Sequence, residues 1–228
     1  MIRCLEVCTE VKIEVDMELL DVHTHNPDAV GAIISVRPWQ FNPKPGCVYS
    51  VGIHPWDAVA LNDGSAPLKP DEVETELSQL ARHPAVVAIG ECGIDHLRGG
   101  SIDAQIVLTE IHIRISEQVG KPLIIHCVKA VNEIIALYRR YQPRQKWLIH
   151  GFRGSVGAAK ALLACPGINL SFGEKFREEA LRATPMERLY VETDESQLPI
   201  EEIASRVAAV RGCRVSDLLA SRLFQMCH

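Results

Sequence analysis

The sequence predicts an α/β protein, a distorted (β/α)8 TIM barrel with shortened early helices. Three observations predict it. Eight short, β-branched, nearly continuous apolar runs recur along the 228 residues. Amphipathic stretches separate most of them. Six of the nine histidines stand at or just past the end of such a run. Strands covered by helices on both faces lose polar alternation, and parallel barrels assemble their functional residues at the carboxyl ends of the strands.

The strands are expected at Glu18–His25, Ala32–Arg37, Cys47–His54, Val86–Asp95, Pro122–Val128, Lys146–Phe152, Ile168–Phe172 and Arg188–Asp194. Helical periodicity is clearest at Asp71–Arg82, Asp103–Val119, Val131–Tyr141 and Val156–Ala164. It is weaker at Phe176–Ala183, Glu201–Arg211 and Val215–Gln225. Pro84, Pro122, Pro143 and Pro166 follow helix-like segments and stop their propagation. Only Asn26–Gly31 separates the first two strands, and Pro38–Gly46 is proline-rich and short, so the early helices are expected to be missing or cut to a turn. An open doubly wound sheet is the alternative, but the glycine-rich phosphate loop expected after its first strand is lacking.

Residues 1–16 read as an N-terminal extension and 17–228 as one barrel domain. An extra edge strand at Val11–Val15 is the competing reading of that extension. Hydrophobic content of 47% and charged content of 23% are those of a globular domain. No apolar run approaches the ~20 residues of a membrane span, so no membrane partner is expected, nor an obligate protein partner. Met1–Asp16 has no apolar h-region, which leads to a cytoplasmic expectation. The eight cysteines include no C-x-x-C pair and are expected to be free thiols. A net charge of −5 excludes a broad basic nucleic-acid footprint, though not a local cationic pocket.

The histidines carry the chemistry. His23, His25, His54, His96, His126 and His150 fall at strand ends, whereas His83, His112 and His228 read as helix-surface or terminal residues. In His23-Thr24-His25 the imidazoles, two apart on a strand, share a face. Glu91 lies in the apolar run from Val86, and Asp194 follows Val191-Glu192-Thr193. A set of hydrogen-bonded buried polar residues would explain any one of these. Six on one rim point instead to metal ligands, because buried charge must be paired or bound. Imidazole and carboxylate donors suit Zn, Mn, Ni or Fe, with Mg possible at an oxygen-rich position. The six divide into two sites for two divalent metal ions: His23, His25 and Asp194 at one, His126 and His150 at the other, with Glu91 bridging. Two dications set against two carboxylates and a bridging hydroxide leave one positive charge, which favours an anionic ester such as a phosphodiester. Asp194 is also placed to take the proton of the attacking water, so Asp194 and Glu91 are the catalytic candidates.

At these residues the chain resembles the TatD family of metal-dependent hydrolases and deoxyribonucleases. The motifs are Asp21-Val22-His23-Thr24-His25, Val51-Gly52-Ile53-His54-Pro55, Ala88-Ile89-Gly90-Glu91-Cys92-Gly93-Ile94-Asp95, Gln105, Pro122-Leu123-Ile124-Ile125-His126, His150-Gly151-Phe152-Arg153-Gly154 and Glu192-Thr193-Asp194. The resemblance implies the same barrel, a two-metal site on the same six residues, and phosphoester hydrolysis, typically of DNA, through a metal-bridging hydroxide. It also implies that His54 faces the substrate. Two departures concern the substrate: Gly151-Phe152-Arg153-Gly154 replaces the usual Cys-Phe-Ser-Gly, and Glu195-Ser196-Gln197-Leu198-Pro199 runs almost directly into a helix. With the short Pro38–Gly46 segment, these imply a smaller, more open pocket. His96, Lys129 and Arg153 are further substrate-binding candidates, solvated loop charges being the alternative, and Asp95 is a candidate to orient a ligand histidine. The substrate expected is a small phosphoester or a DNA end. An amidohydrolase-like enzyme acting on a small amide, lactone or phosphate ester, and a non-catalytic metal-stabilised scaffold, are the competing functions.

Overall fold

Each of the eight apolar runs contains a strand. In the computed structural model, which describes residues 20–65 and 71–218, they are β1 (Asp21–Thr24), β2 (Ala32–Val36), β3 (Val48–Val51), β4 (Val86–Asp95), β5 (Leu123–Val128), β6 (Trp147–Ile149), β7 (Ile168–Phe172) and β8 (Leu189–Val191). All pair in parallel and in chain order, and β8 returns to β1 through Asp21 and Val191, closing the barrel. The helices are α1 (Ala58–Asp63), α2 (Val73–Leu80), α3 (Ile102–Val119), α4 (Val131–Tyr141), α5 (Val156–Leu163), α6 (Glu178–Ala183) and α7 (Ile200–Arg211). Among the described residues no helix is long and apolar enough to cross a membrane.

The early part of the barrel is as lean as expected. A turn joins β1 to β2, and only a 3-10 turn at Pro38–Gln40 lies between β2 and β3. The unexpected element is α1, which follows a 3-10 turn at Pro55–Asp57; proline at the first position of that turn has its φ already set for helix. The expected last helix appears as a 3-10 turn at Val215–Leu218, and its remainder lies outside the described residues. The expectations for residues 1–16 also lie outside them.

Strands β3, β6 and β8 stop short of the candidate site residues. His54, His150 and Asp194 therefore sit on curled ends, tied by isolated backbone bonds such as His150 N–H to the Ile125 carbonyl at 3.1 Å. The longest strand, β4, is buried at all ten positions and slips register against β5 between Ile89 and Cys92. Extra residues of this kind bend a strand and re-aim its side chains, here around Glu91. Glycine makes the approach possible. A Cβ on Gly93, whose φ is +138°, would fall 2.0 Å from the His126 carbonyl oxygen.

Backbone groups left over by that irregular region are met by α3. Its buried face carries Gln105, Thr109, His112 and Ser116, a polar stripe at helical spacing. Asp95 N–H donates to Gln105 Oε1 at 2.7 Å, Thr109 Oγ1 donates to the Gly93 carbonyl at 3.1 Å, and Ile53 N–H donates to His112 Nε2 at 2.9 Å. His112 thus corrects the expectation of a helix-surface residue: it is wholly buried, because a ring nitrogen is needed where a strand pairing is missing.

A cluster joining Val22, Ile33, Val87, Ala88, Ile124, Leu148 and Tyr190 draws on six different strands, which can meet only inside the barrel. A larger cluster packs the outer faces of the strands against the helices. The described cysteines, at 47, 92, 127, 165 and 213, are free thiols, as expected.

Candidate metal centre at the barrel mouth

The carboxyl ends of β1, β4, β5, β6 and β8 bring His23, His25, Glu91, His126, His150 and Asp194 together above the interior cluster. Glu91 is central, and its two oxygens face different partners. Oε2 lies 3.2 Å from His25 Nε2 and 3.5 Å from His23 Nε2, and Asp194 Oδ1 lies 3.7 and 3.8 Å from the same two nitrogens. Oε1 lies 2.8 Å from His150 Nε2, 3.1 Å from His126 Nδ1 and 3.0 Å from His54 Nε2.

The outer nitrogens show what the inner ones present. His126 Nε2 faces Asp95 Oδ2 at 3.2 Å, and His150 Nδ1 faces Glu192 Oε1 at 3.4 Å. Each ring thus stands between two carboxylates, and with the N–H on its outer nitrogen it turns the lone pair of the inner one into the site, the form that binds a metal ion. The inner nitrogens, His126 Nδ1 and His150 Nε2, then meet at 3.3 Å beside a carboxylate oxygen. Lone pairs converging in this way repel unless a cation or protons lie between them. His23 sharpens the point, since it is wholly buried and neither ring nitrogen has a hydrogen-bond partner. Buried polar atoms without partners are rare and costly. The donor set therefore fits divalent metal ions. Ligand atoms of His23, His25 and Glu91, of His23, His150 and Asp194, and of His54, Glu91 and His126 lie within 4.8 Å of one another in each group.

His54 differs from the other imidazoles. Its Nδ1 accepts the Trp56 backbone N–H at 3.1 Å, so in the neutral ring the proton is on Nε2, facing Glu91. His54 is thereby a donor aimed at the site rather than a lone pair.

Electrostatics follow from the same contacts. Burial opposes charge on Glu91, but His150, His126 and His23 hold its carboxyl well below the usual range. Burial disfavours a proton on His150, yet Glu91 and Glu192 raise it well above an ordinary histidine. In His23, burial and the neighbouring His150 lower it. Burial pushes Asp21 up to about 7 against hydrogen bonds from Thr193 and the His23 backbone.

Other candidates are less uniformly placed. Asp95 bridges Trp56 Nε1, at 2.6 Å, and His126. A cleft of about 530 Å³ above the cluster is lined by His25, His54, Trp56, Glu91, His126, His150 and Asp194, and also by Arg37 and Gln40. Arg153 lines a smaller cavity of about 230 Å³ that reaches Glu192 and Asp194 from the side. His96 and Lys129 line neither; His96 pairs with Glu133 at 2.8 Å, and Lys129 is exposed. Sequence reasoning missed Glu192, the fully buried partner of His150 and Ser171. A glutamate inside an apolar strand, two residues before Asp194, was the available signal. It also missed Asp21, which accepts from Thr193 Oγ1 at 2.6 Å and ties β1 to β8.

Fold and cluster together define a class: parallel barrels that gather imidazoles and carboxylates at the mouth to hold divalent metal ions. The chain belongs to the TatD family, since the family model described as TatD related DNase matches residues 20–209. Among curated proteins it is similar to a 3'-5' ssDNA/RNA exonuclease TatD of Edwardsiella piscicida, 36% identical over 160 residues, 65% of this chain and 57% of that protein. It is also similar to an uncharacterized metal-dependent hydrolase TatD of Mycobacterium tuberculosis, 32% identical over 61% of this chain and 59% of that protein. The matches thus span less than two thirds of these relatives' length. Among solved structures, a TatD homologue from Escherichia coli, YJJV, superposes with a TM-score of 0.72 at 19% identity, covering 90% of this chain and 95% of that one, a likeness of fold.

Proposed function

We propose that this chain is a two-metal phosphodiesterase acting on the ends of single-stranded nucleic acid. The observation that carries the reading is the division of Glu91, one oxygen toward His23 and His25 and the other toward His126 and His150. In this reading His23, His25 and Asp194 would hold one ion and His126 and His150 the second, with Glu91 serving both. Two such ions lower the pKa of water and polarise a phosphoryl oxygen. The chain's own groups do the rest. Asp95 and Glu192 accept the outer N–H groups of His126 and His150 and so aim the inner nitrogens at the site. Asp194, a quarter exposed where Glu91 is buried, accepts the proton of the attacking water. His54 Nε2–H donates to a phosphate oxygen, and Arg153 meets a flanking phosphate.

The choice of nucleic acid rests on the similar proteins, two of which bear the names 3'-5' ssDNA/RNA exonuclease and 3'-5' RNA nuclease. A barrel domain over residues 17–228 and a cytoplasmic, reducing location, which the free thiols fit, belong to the same reading.

The test combines metal content with hydrolysis of bis(p-nitrophenyl) phosphate and of end-labelled single-stranded DNA and RNA. Two ions per chain and shortening of the strand from one end are expected. Full metal loading without hydrolysis of any diester would leave a scaffold and overturn the proposal.

A further inference from the structure

Of the large apolar side chains that stay exposed among the described residues, Trp56 is the one that lines the cleft above Glu91; 39% of it is open to solvent. The ring is not loose. Its indole N–H donates to Asp95 Oδ2 at 2.6 Å, the same carboxylate oxygen that faces His126. Edge-on contacts place its centroid 4.6 Å from the His54 ring and 5.9 Å from the His126 ring. The guanidinium of Arg98 lies 4.6 Å from the same centroid. An indole held open to water gives up the gain of burial, and here a carboxylate and a cation hold it beside the groups that surround Glu91.

We propose that Trp56, with Arg98 stacked on it, is the platform for the nucleobase of the terminal nucleotide whose phosphate sits at Glu91, His126 and His150. The inference deepens the phosphodiesterase reading and rests on it. Charge supplies a reason for such a device. The chain carries a net −5, and Arg37, a cation that lines the cleft, is tied to Asp57 at 2.6 Å. Beyond the phosphate held at the site itself, the cleft thus offers few free cations for a strand, whereas every base has a π face and stacks without regard to sequence. The platform also selects against duplex, because a base within one has both faces covered by its neighbours.

Two single-stranded oligonucleotides, identical except that the 3'-terminal nucleotide is natural or abasic, test this. Binding to Asp194→Asn protein, with and without Trp56→Ala, is read by fluorescence anisotropy, and kcat/KM is compared for the wild type and Trp56→Ala. With Trp56 present, removing the base is expected to weaken binding and kcat/KM by about 5- to 150-fold, the range of base–aromatic stacking. Trp56→Ala should bring that ratio close to one, and Trp56→Phe should keep part of it. If Trp56 only steadies Asp95 and His126, Trp56→Ala lowers both oligonucleotides equally and leaves the ratio unchanged, which overturns the platform but not the phosphodiesterase. If the binding ratio behaves as expected while metal-loaded protein hydrolyses neither strand, the platform stands and the phosphodiesterase reading falls.

Discussion

Asp194 shows how much a single residue carries here. Its backbone is left-handed, with φ +54°. Its N–H donates to the His23 carbonyl at 2.9 Å, and its carbonyl accepts the His25 N–H at 3.2 Å. Asparagine tolerates this conformation about as well as aspartate. Asp194→Asn is therefore expected to keep the fold, with the melting temperature of the metal-free protein unchanged, while kcat on a phosphodiester drops about 10²–10⁴-fold, the usual weight of a general base. A lower melting temperature of the metal-free protein would show that the carboxylate serves the fold instead. His112 makes a different prediction. Burial lowers it from 6.5 to about 4, so the folded protein keeps it neutral while the unfolded chain takes up a proton below 6.5. The unfolded state binds more protons throughout that window, so stability falls as pH falls. From pH 7 to pH 5 this histidine alone should cost about 2 kcal/mol. His112→Gln, which keeps an acceptor for Ile53 N–H, should flatten that part of the urea-denaturation profile.

At the scale of elements, the site depends on how closely β4 approaches β5. Gly93 has no counterpart in a regular strand: its φ is +138° and a Cβ there would strike the His126 carbonyl. Gly93→Ala should destabilise by more than about 2 kcal/mol, through strain and collision, and lower metal occupancy by moving His126. Calorimetry together with metal analysis checks both parts, and retained metal with unchanged stability would contradict them. At the opposite end of the barrel, Arg188 ties α5 to β7 by donating to the carbonyls of Leu163, Cys165 and Ile168 at 2.6–2.7 Å. Arg188→Ala should cost about 2 kcal/mol while sparing kcat, since it unpairs carbonyls far from the mouth. Element types were well marked in the sequence because buried parallel strands leave continuous apolar runs. Their ends were not: β3, β6 and β8 stop early where His54, His150 and Asp194 turn into the mouth. α1 was missed because Pro55-Trp56-Asp57 reads locally as a turn.

For the whole molecule, ions at the centre would draw together five strand ends around Glu91. Ligands that bind only the native state stabilise it by mass action, about 3–4 kcal/mol at 100–1,000 times the dissociation constant. Chelation is therefore expected to abolish hydrolysis and to lower the melting temperature by roughly 6–15 °C for a chain of this size. Restoring the metal should recover both. Loss of activity with no thermal shift would indicate an ion recruited with substrate rather than held by the six residues.

The sequence by itself determined the barrel and the ring of candidate ligands, because both are written locally: apolar runs declare strands, and a histidine or acid at the end of such a run declares the rim. The six candidate ligands could be named from their chemistry and their places at strand ends, and the structure brings all six side chains together. Only the tertiary structure decided which nitrogen of each imidazole faces inward, since that depends on Asp95, Glu192 and the Trp56 backbone across the fold. It also separated Arg153, beside the site, from His96, which is paired with Glu133, and from exposed Lys129. It placed His112 inside and Trp56 in the open cleft. Proton position and exposure are set by partners distant in the chain, and a linear pattern carries no record of them.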